Sequence, residues 1–456
     1  MDYDVIVLGG GPGGYVAAIK SAQMGKKTAL IEMDAVGGVC LNRGCIPTKT
    51  LLKSAEILKH VKLSNIYGVV DCDVKNAKAD MHKIQERKKA VVGQLVMGVE
   101  GLLKANGVSL IRAEGTMIDK NTIRAGEKTI TGENVIIATG SEYQTIPFQA
   151  DPAMKILNGD DILNLDYIPE DMVILGGGVI AVEFAYFLNS IGCNVSIIVR
   201  SRILRTSADE EIAAAVAEQF KKNGIAVYEA AQVKKINKDS VTFEKDGKLQ
   251  EVRTNYVLDA IGRKPSVRGV PCEKLGIGMN NGAIVTNDRM ETSVKGLYAI
   301  GDVNGKYMLA HVASMEGIVA VENICNIDSR MSYKAIPSCI YIQPEVAGAG
   351  LTEKQARDKY GDVKVGKIPM YTNGKSLVEG DTNGLIKVIV EPELNEIVGV
   401  HMYAAHATDM IAEAVLAMDM EATAESAGKS VHPHPTVSEA VYEAFHAATG
   451  KAIHSL

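Results

Sequence analysis

Two stretches of the chain repeat one design. "YDVIVLGGGPGGYVAAIKSAQMGKKTALIE", Tyr3 to Glu32, and "DMVILGGGVIAVEFAYFLNSIGCNVSIIVR", Asp171 to Arg200, each run from an apolar strand through a glycine turn into a helix and out along a second apolar strand. A lone G-x-G-x-x-G is weak evidence, but here each copy has the strand-before, helix-after context that the motif requires. The glycines let the backbone approach a pyrophosphate, whose negative charge then faces the helix N-terminus. Two such units imply an α/β chain that holds two dinucleotides close together. The alternative is two fortuitous glycine turns in an α/β fold.

At 456 residues there is room for about three domains of roughly 100–200 residues each. Ser54 to Gly107 reads as largely helical. In "MHKIQERKKAVVGQLVMGVEGLL" apolar residues recur every three or four, as on an amphipathic surface helix whose basic residues form a solvated face. The stretches ending in "VIIATGSEYQTIP" and "YVLDAIGRKPS" read as returns into a sheet closed by glycine turns, the second at Gly262. After about Ile336, strands ("GLIKVIVEPELNEIVGVHMY") and then helices ("ATDMIAEAVLAMDM") read as a third domain.

A net charge of −6 argues against a nucleic-acid backbone as partner. The absence of Trp and the 6 Phe argue against stacking on single strands as well. No apolar run is long enough to span a membrane, and "MDYDVIVLGGGPGG" begins a strand with no signal core, so the chain reads as cytoplasmic. In that compartment a close cysteine pair reads as catalytic or metal-binding rather than structural.

In the first fingerprint, Gly9, Gly11 and Gly14, Glu32 ends the second strand 23 residues after Gly9. There a carboxylate can accept from a ribose diol, the alternative being a solvated strand end. Cys40 and Cys45 follow in "GGVCLNRGCIPTKTLL". Five residues of regular helix would leave them about 140° apart, so bonding needs an irregular turn, which Gly44 permits. Pro47 suits a first helical turn, which places Cys45 at a helix N-terminus, where the partial positive charge favours a thiolate. Zinc needs four ligands, and no second C-x-x-C or His pair with ligand spacing accompanies this one. Cys72, Cys193, Cys272, Cys325 and Cys339 are scattered core or surface thiols.

"GGVCLNRGCIPTK" resembles the redox-active segment of the two-dinucleotide flavoprotein disulfide reductases, with wording closest to their lipoamide dehydrogenase branch. "GPGGYVAAI", "TSVKGLYAIGDV", "MLAHVASMEG" and "HPHPTVSEA" extend the resemblance nearly from end to end. It implies an FAD-binding domain over residues 1–146 and 266–336, an NAD(P)-binding domain over 147–265 and an α+β dimerisation domain over 337–456. It implies that the first fingerprint holds FAD, that Asp302 binds the flavin ribitol and that the segment at Ala310 covers the pyrimidine. Gly115 would contact the adenine side, and Lys49, near flavin N5, would pair with Glu183. Singly these charges could be surface residues; as a set they read as a site.

By the same resemblance His434 is the proton acceptor, reaching the disulfide of the partner subunit of a homodimer, with Glu439 orienting it as in other base–orienter pairs. Thr436-x-x-Glu439 is also a capping-box pattern. His432, like His434, precedes a proline that biases it to extended backbone, and it reads as structural. The implied reaction is oxidation of a dihydrolipoyl group carried by a protein or multienzyme complex, through attack on Cys40 as the exposed partner, with Cys45 against the flavin.

The second fingerprint departs from that branch. It reads Gly176, Gly178, Ala181, and the position matching Glu32 is Val199, followed by Arg200, Arg202 and Arg205. The alanine and Arg200 are in the glutathione-reductase pattern. A missing carboxylate removes a ribose acceptor and a repulsion, and guanidinium forks suit a phosphate dianion. NADP is therefore expected ahead of NAD, the alternative being that the arginines are solvated. A reductase of another disulfide such as glutathione is the runner-up, and a non-catalytic flavoprotein subunit the reading from another class. The tail "GKAIHSL" lacks the paired cysteines of mercuric reductase. His406, in "AAHATDM" where Gly-Pro would be expected, has no account at this level.

Overall fold

The computed structural model describes residues 1–70 and 74–455, so Cys72 lies outside the described residues. The chain forms two compact units: Met1–Leu51, His82–Thr145 and Gly262–Ser332 make the first; Leu52–Met81, Ile146–Ile261 and Tyr333–Leu456 the second. It is an α/β protein, with sheets and helices in both units.

In the first unit, strand Tyr3–Leu8 lies between Thr28–Glu32 and Lys128–Ile137, parallel to both. Ser109–Arg112 and Leu297–Ala299 extend the sheet on either side, also in parallel. Helices cover both faces of such a sheet, which explains why "VIVL", "ALI" and "VII" are continuous apolar runs without alternation. Helix Pro12–Gln23 packs on helix Ala310–Ile324 at glycine: a Cβ on Gly13 would stand 2.9 Å from the Ala313 carbonyl oxygen, and one on Gly317 would stand 2.8 Å from that of Gly13. The long helix Met81–Ala105 presents Lys83, Arg87 and Lys89 to solvent as expected. Lys88 departs from that face. It shares the buried stripe of Met81, Ile84 and Gln85, one turn apart, and burial lowers its pKa.

In the second unit, five parallel strands run in the order Ala226–Tyr228, Asn194–Ile198, Asp171–Leu175, Tyr256–Asp259, Lys155–Leu157. Helix Val179–Ser190 is buried without a break from Ala181 to Leu188. Residues 338–404 supply a second, antiparallel sheet, with Ile397–Ala404 at its centre between Glu345–Gly350 and Leu385–Val390. One face packs on helices Ala407–Asp419 and Glu439–Ala448. The other packs on helix Glu353–Tyr360 and meets the start of helix Glu210–Lys222. That second face carries Lys387, whose ammonium reaches Asp209 Oδ1 at 2.7 Å, Glu211 Oε2 at 2.8 Å and Glu353 Oε2 at 2.9 Å. The side chains of Lys387 and Asp209 are only 2% exposed. Burial alone would lower the lysine pKa, but the three carboxylates raise it. Among the described residues, no helix is long and apolar enough to cross a membrane.

Candidate active site

The two fingerprints fold alike, and each glycine has its own reason. Gly9 has φ +107° and Gly176 φ +116°; a Cβ would lie 2.2 Å from the Ala138 carbonyl oxygen in the first and 2.3 Å from that of Ala260 in the second. Both positions admit only glycine. A Cβ on Gly14 would fall within bonding distance of the Gly9 carbonyl, so helix and strand touch there. In the second copy Ala181 takes that place and is fully buried. Gly11 and Gly178, in contrast, are open: the nearest atom to a Cβ on Gly11 is Gly38 Cα at 4.0 Å, and nothing lies within 4 Å of one on Gly178. Both are the N-caps of their helices, without a side-chain cap. Two backbone cradles bared by glycine at helix N-termini fit two pyrophosphates.

Glu32 is not a solvated strand end, since it is 9% exposed. Its Oε2 accepts from Gly10 N–H at 2.7 Å and its Oε1 from Asp34 N–H at 2.8 Å, so it lies over the middle glycine of its turn. Val199 holds the same place in the second copy: its Cγ2 is the atom nearest a Cβ on Gly177. The loop that follows folds back on the turn, where Leu204 N–H donates to Gly177 O at 2.6 Å and Ile203 N–H to Glu229 Oε1 at 2.9 Å. Arg200 and Arg205 are exposed on this loop; Arg202 is half-buried and 3.4 Å from Glu210. Gly262, φ +138°, lies between the strands Tyr256–Asp259 and Arg263–Pro265, and its carbonyl accepts from Gln144 N–H.

The cysteine segment breaks where a bonded pair requires it. Helix Gly38–Arg43 stops at Gly44, φ −147° and ψ −109°, and helix Cys45–Leu63 starts at Cys45. The two thiols hydrogen-bond across the break. That bond, together with burial, raises the Cys40 pKa, while Lys49 opposes it. Exposure differs from expectation, because within this chain Cys45 is the exposed sulphur and Cys40 is half-buried. The kink at Gly44 turns the first residue of the new helix outward. Of the other described cysteines, Cys193 and Cys272 are buried and Cys325 and Cys339 half-buried. No group of three or more potential metal ligands occurs among the described residues.

Lys49 is half-buried in the first unit. Glu183, in the second, is buried and accepts from Tyr341 N–H at 3.0 Å, so it is not a surface charge. Asp302 sits in the 3-10 turn Gly301–Asn304, where its Oδ2 accepts from the Ser141 hydroxyl. Burial raises its pKa, against that bond and the charge of Arg263. Ala310 is the first residue of its helix. A Cβ on Gly115 would strike Leu8 Cδ1, so packing requires a glycine there.

Sequence reasoning missed Glu316. Its side chain is 0% exposed, and its Oε2 accepts from Gly301 N–H at 2.6 Å and from Asn304 Nδ2 at 2.9 Å. It therefore holds the turn that presents Asp302. A carboxylate directly ahead of the apolar run "GIVAV" in helix Ala310–Ile324 was the available signal.

Near the C-terminus, His434 Nδ1 lies 2.9 Å from Glu439 Oε1 and its side chain is 80% exposed. Glu439 Oε2 accepts from Thr436 N–H at 2.8 Å. The capping-box pattern is thus only half realised: the helix begins at Glu439 rather than just after Thr436, whose hydroxyl turns to Pro433 O instead. Burial raises the Glu439 pKa, but the Thr436 and His434 hydrogen bonds outweigh it and leave the pKa lowered. His432 is held between Glu413 and Ser430 O, a structural placement. His406 is the left-handed N-cap of helix Ala407–Asp419, φ +59°, and pairs with Glu379 at 3.1 Å.

The model of the pyridine nucleotide-disulphide oxidoreductase family matches residues 3–317, and that of its dimerisation domain residues 336–445. The dihydrolipoyl dehydrogenase of Bacillus subtilis is 38% identical over 99% of this chain and 99% of its own length. That of Geobacillus stearothermophilus is 37% identical over 100% and 98%. Among solved structures, the HOCl-induced flavoprotein disulfide reductase RclA of Escherichia coli superposes with a TM-score of 0.85 at 26% identity, covering 97% of this chain and 99% of that one.

Proposed function

The chain belongs to the pyridine nucleotide-disulphide oxidoreductase family, and from that premise we propose that it is a homodimeric, FAD-dependent dihydrolipoyl dehydrogenase of the cytoplasm. The observation that carries this is the thiol pair Cys40 and Cys45, facing each other across a helix break in the unit that holds the first cradle. In this reading the three domains are residues 1–146 with 266–336, 147–265, and 337–456. Gly9, Gly11, Gly14, Glu32, Lys49, Gly115, Asp302 and Ala310 hold FAD. Gly176, Gly178, Ala181, Gly262 and the three arginines hold the pyridine nucleotide, and Glu183 serves with Lys49.

Nδ1–H of His434 donates to Glu439, which leaves the lone pair on Nε2. Nε2 takes the proton of a dihydrolipoyl thiol presented to the cysteine pair of the partner subunit. The thiolate attacks Cys40 Sγ, the disulfide breaks, and Cys45 departs as a thiolate facing the first turn of its own helix. The second substrate thiol, losing its proton to solvent, releases Cys40, which takes the proton back from His434. FAD held by the first cradle and Lys49 would supply the redox chemistry that takes up the electron pair and passes it to the pyridine nucleotide as hydride. The order of the two sulphurs rests on the family resemblance, because exposure in the single chain points the other way.

NADP is the preferred nucleotide in this reading: Val199 lies over Gly177 where Glu32 lies over Gly10, so the carboxylate of the first copy is replaced by an apolar side chain there, and Arg200 and Arg205 stand exposed on the loop that follows. The same feature favours the second reading, an NADPH-dependent reductase of another small disulfide. Oxidation of dihydrolipoamide with NADP⁺ and NAD⁺ in parallel tests both. A higher kcat/KM with NADP⁺ is expected, a preference for NAD⁺ would leave the arginines as surface charge, and inactivity with either would remove lipoamide as substrate.

A further inference from the structure

We propose that Asn373 is a positioning residue for the His434 base; this rests on the proposed role of His434. Asn373, 7% exposed, uses both ends of its amide. Its Oδ1 accepts from Ser376 N–H at 2.9 Å and caps helix Gly374–Glu379, while its Nδ2 donates to the Thr436 carbonyl at 3.0 Å. Thr436 then binds Glu439 through its own N–H at 2.8 Å, and the other oxygen of Glu439 binds His434 Nδ1 at 2.9 Å. One residue, Thr436, is gripped at its carbonyl by Asn373 and at its N–H by the carboxylate that sets the imidazole.

The anchor itself is fixed at both ends of its helix. Glu379 O accepts from Tyr67 Oη at 2.6 Å, and the Glu379 carboxylate pairs with His406. The imidazole, in contrast, is mostly exposed, so its direction is set through Glu439 rather than by packing. A carboxylate whose two oxygens are both engaged holds an imidazole only as firmly as the peptide on its other oxygen is held.

Asn373→Ser and Asn373→Asp separate the two bonds. Each keeps a capping oxygen for Ser376 N–H; an aspartate has no N–H for Thr436 O, and a serine Oγ, standing where the amide carbon of Asn373 stands, falls short of it. Both are expected to lower kcat for dihydrolipoamide about three- to ten-fold, the scale of one hydrogen bond, with KM unchanged. The acid limb of the kcat profile should move to lower pH in Asn373→Ser, because a weaker carboxylate contact favours the imidazolium less, whereas the charge added in Asn373→Asp opposes that shift. Reduction of ferricyanide by NADPH or NADH, which does not pass through His434, should stay as in the wild type. His434→Gln is measured alongside. If it keeps lipoamide turnover, the reading of His434 falls. If it loses turnover while both Asn373 variants keep wild-type kcat and pH profile, the positioning role is overturned. Equal loss of both activities in the Asn373 variants would also overturn it, since the residue would then only support the fold.

Discussion

Gly178→Ala separates folding from cofactor binding. Gly178 has φ −78° and ψ −175°, a backbone that alanine adopts freely, and nothing lies within 4 Å of the added methyl. Loss of chain entropy in the unfolded state favours the variant by about 0.4–1 kcal/mol. Alanine at an N-cap costs a similar few tenths or more relative to glycine. The two offset, so the thermal midpoint and FAD content should match the wild type. For the nucleotide the methyl is not neutral. A phosphate oxygen sits about 2.9 Å from a donating N–H, whereas carbon needs contacts of about 3.5 Å or more. Losing one charge-assisted bond of about 1.5–3 kcal/mol weakens binding about 10- to 150-fold. The assay is NADP⁺ and NADPH affinity by calorimetry or fluorescence quenching, with Gly176→Ala, at φ +116° and 2.3 Å from a carbonyl oxygen, as the variant that should fail to fold normally. Wild-type affinity in a stable Gly178→Ala protein would refute the assignment of the second cradle.

Val199→Glu should place a carboxylate over Gly177 and move the kcat/KM ratio of NADP⁺ to NAD⁺ at least about ten-fold towards NAD⁺, the scale of one charge–phosphate contact. Cys40→Ser should abolish lipoamide turnover while FAD stays bound, checked by the flavin spectrum of the purified protein. Lys387→Met leaves Asp209, Glu211 and Glu353 facing one another and should cost about 3–5 kcal/mol, read as an earlier urea midpoint. The pKa values of all three carboxyls are lowered in the folded chain. Their contribution is therefore present above the ordinary carboxylate pKa and lost as pH falls through the lowered values. Wild-type stability should drop over that acid range, and the drop should be much smaller in Lys387→Met.

What could be read beforehand was whatever the chain writes locally. The two strand–turn–helix units, the helix break at Gly44, and the pairing of His434 with Glu439 five residues on all depend on neighbours in sequence. Glu316, Asn373 and Lys387 were not legible. Glu316 binds a turn 12 to 15 residues before it, Asn373 a carbonyl 63 residues away, and Lys387 a carboxylate 178 residues away, and no periodicity announces such meetings. Lys88 misled for a related reason: a basic run looks solvated unless one member falls in register with the apolar stripe. His406 could not be explained in sequence because its left-handed backbone is visible only in the folded chain.

Glu316 ties together parts of the first unit that the chain separates widely. The turn carrying Asp302 draws its hydrogen bonds from a helix whose opposite partner is the fingerprint helix, met at Gly13 and Gly317 without room for a methyl. The phosphate cradle near residue 10 and the acidic turn near residue 302 therefore cannot be assembled independently. If both hold FAD as proposed, loosening either helix releases both grips on one ligand at once, so this unit should lose its flavin in a single step rather than by degrees. A newly made chain would be unable to retain the cofactor until nearly seven-tenths of it had been synthesised.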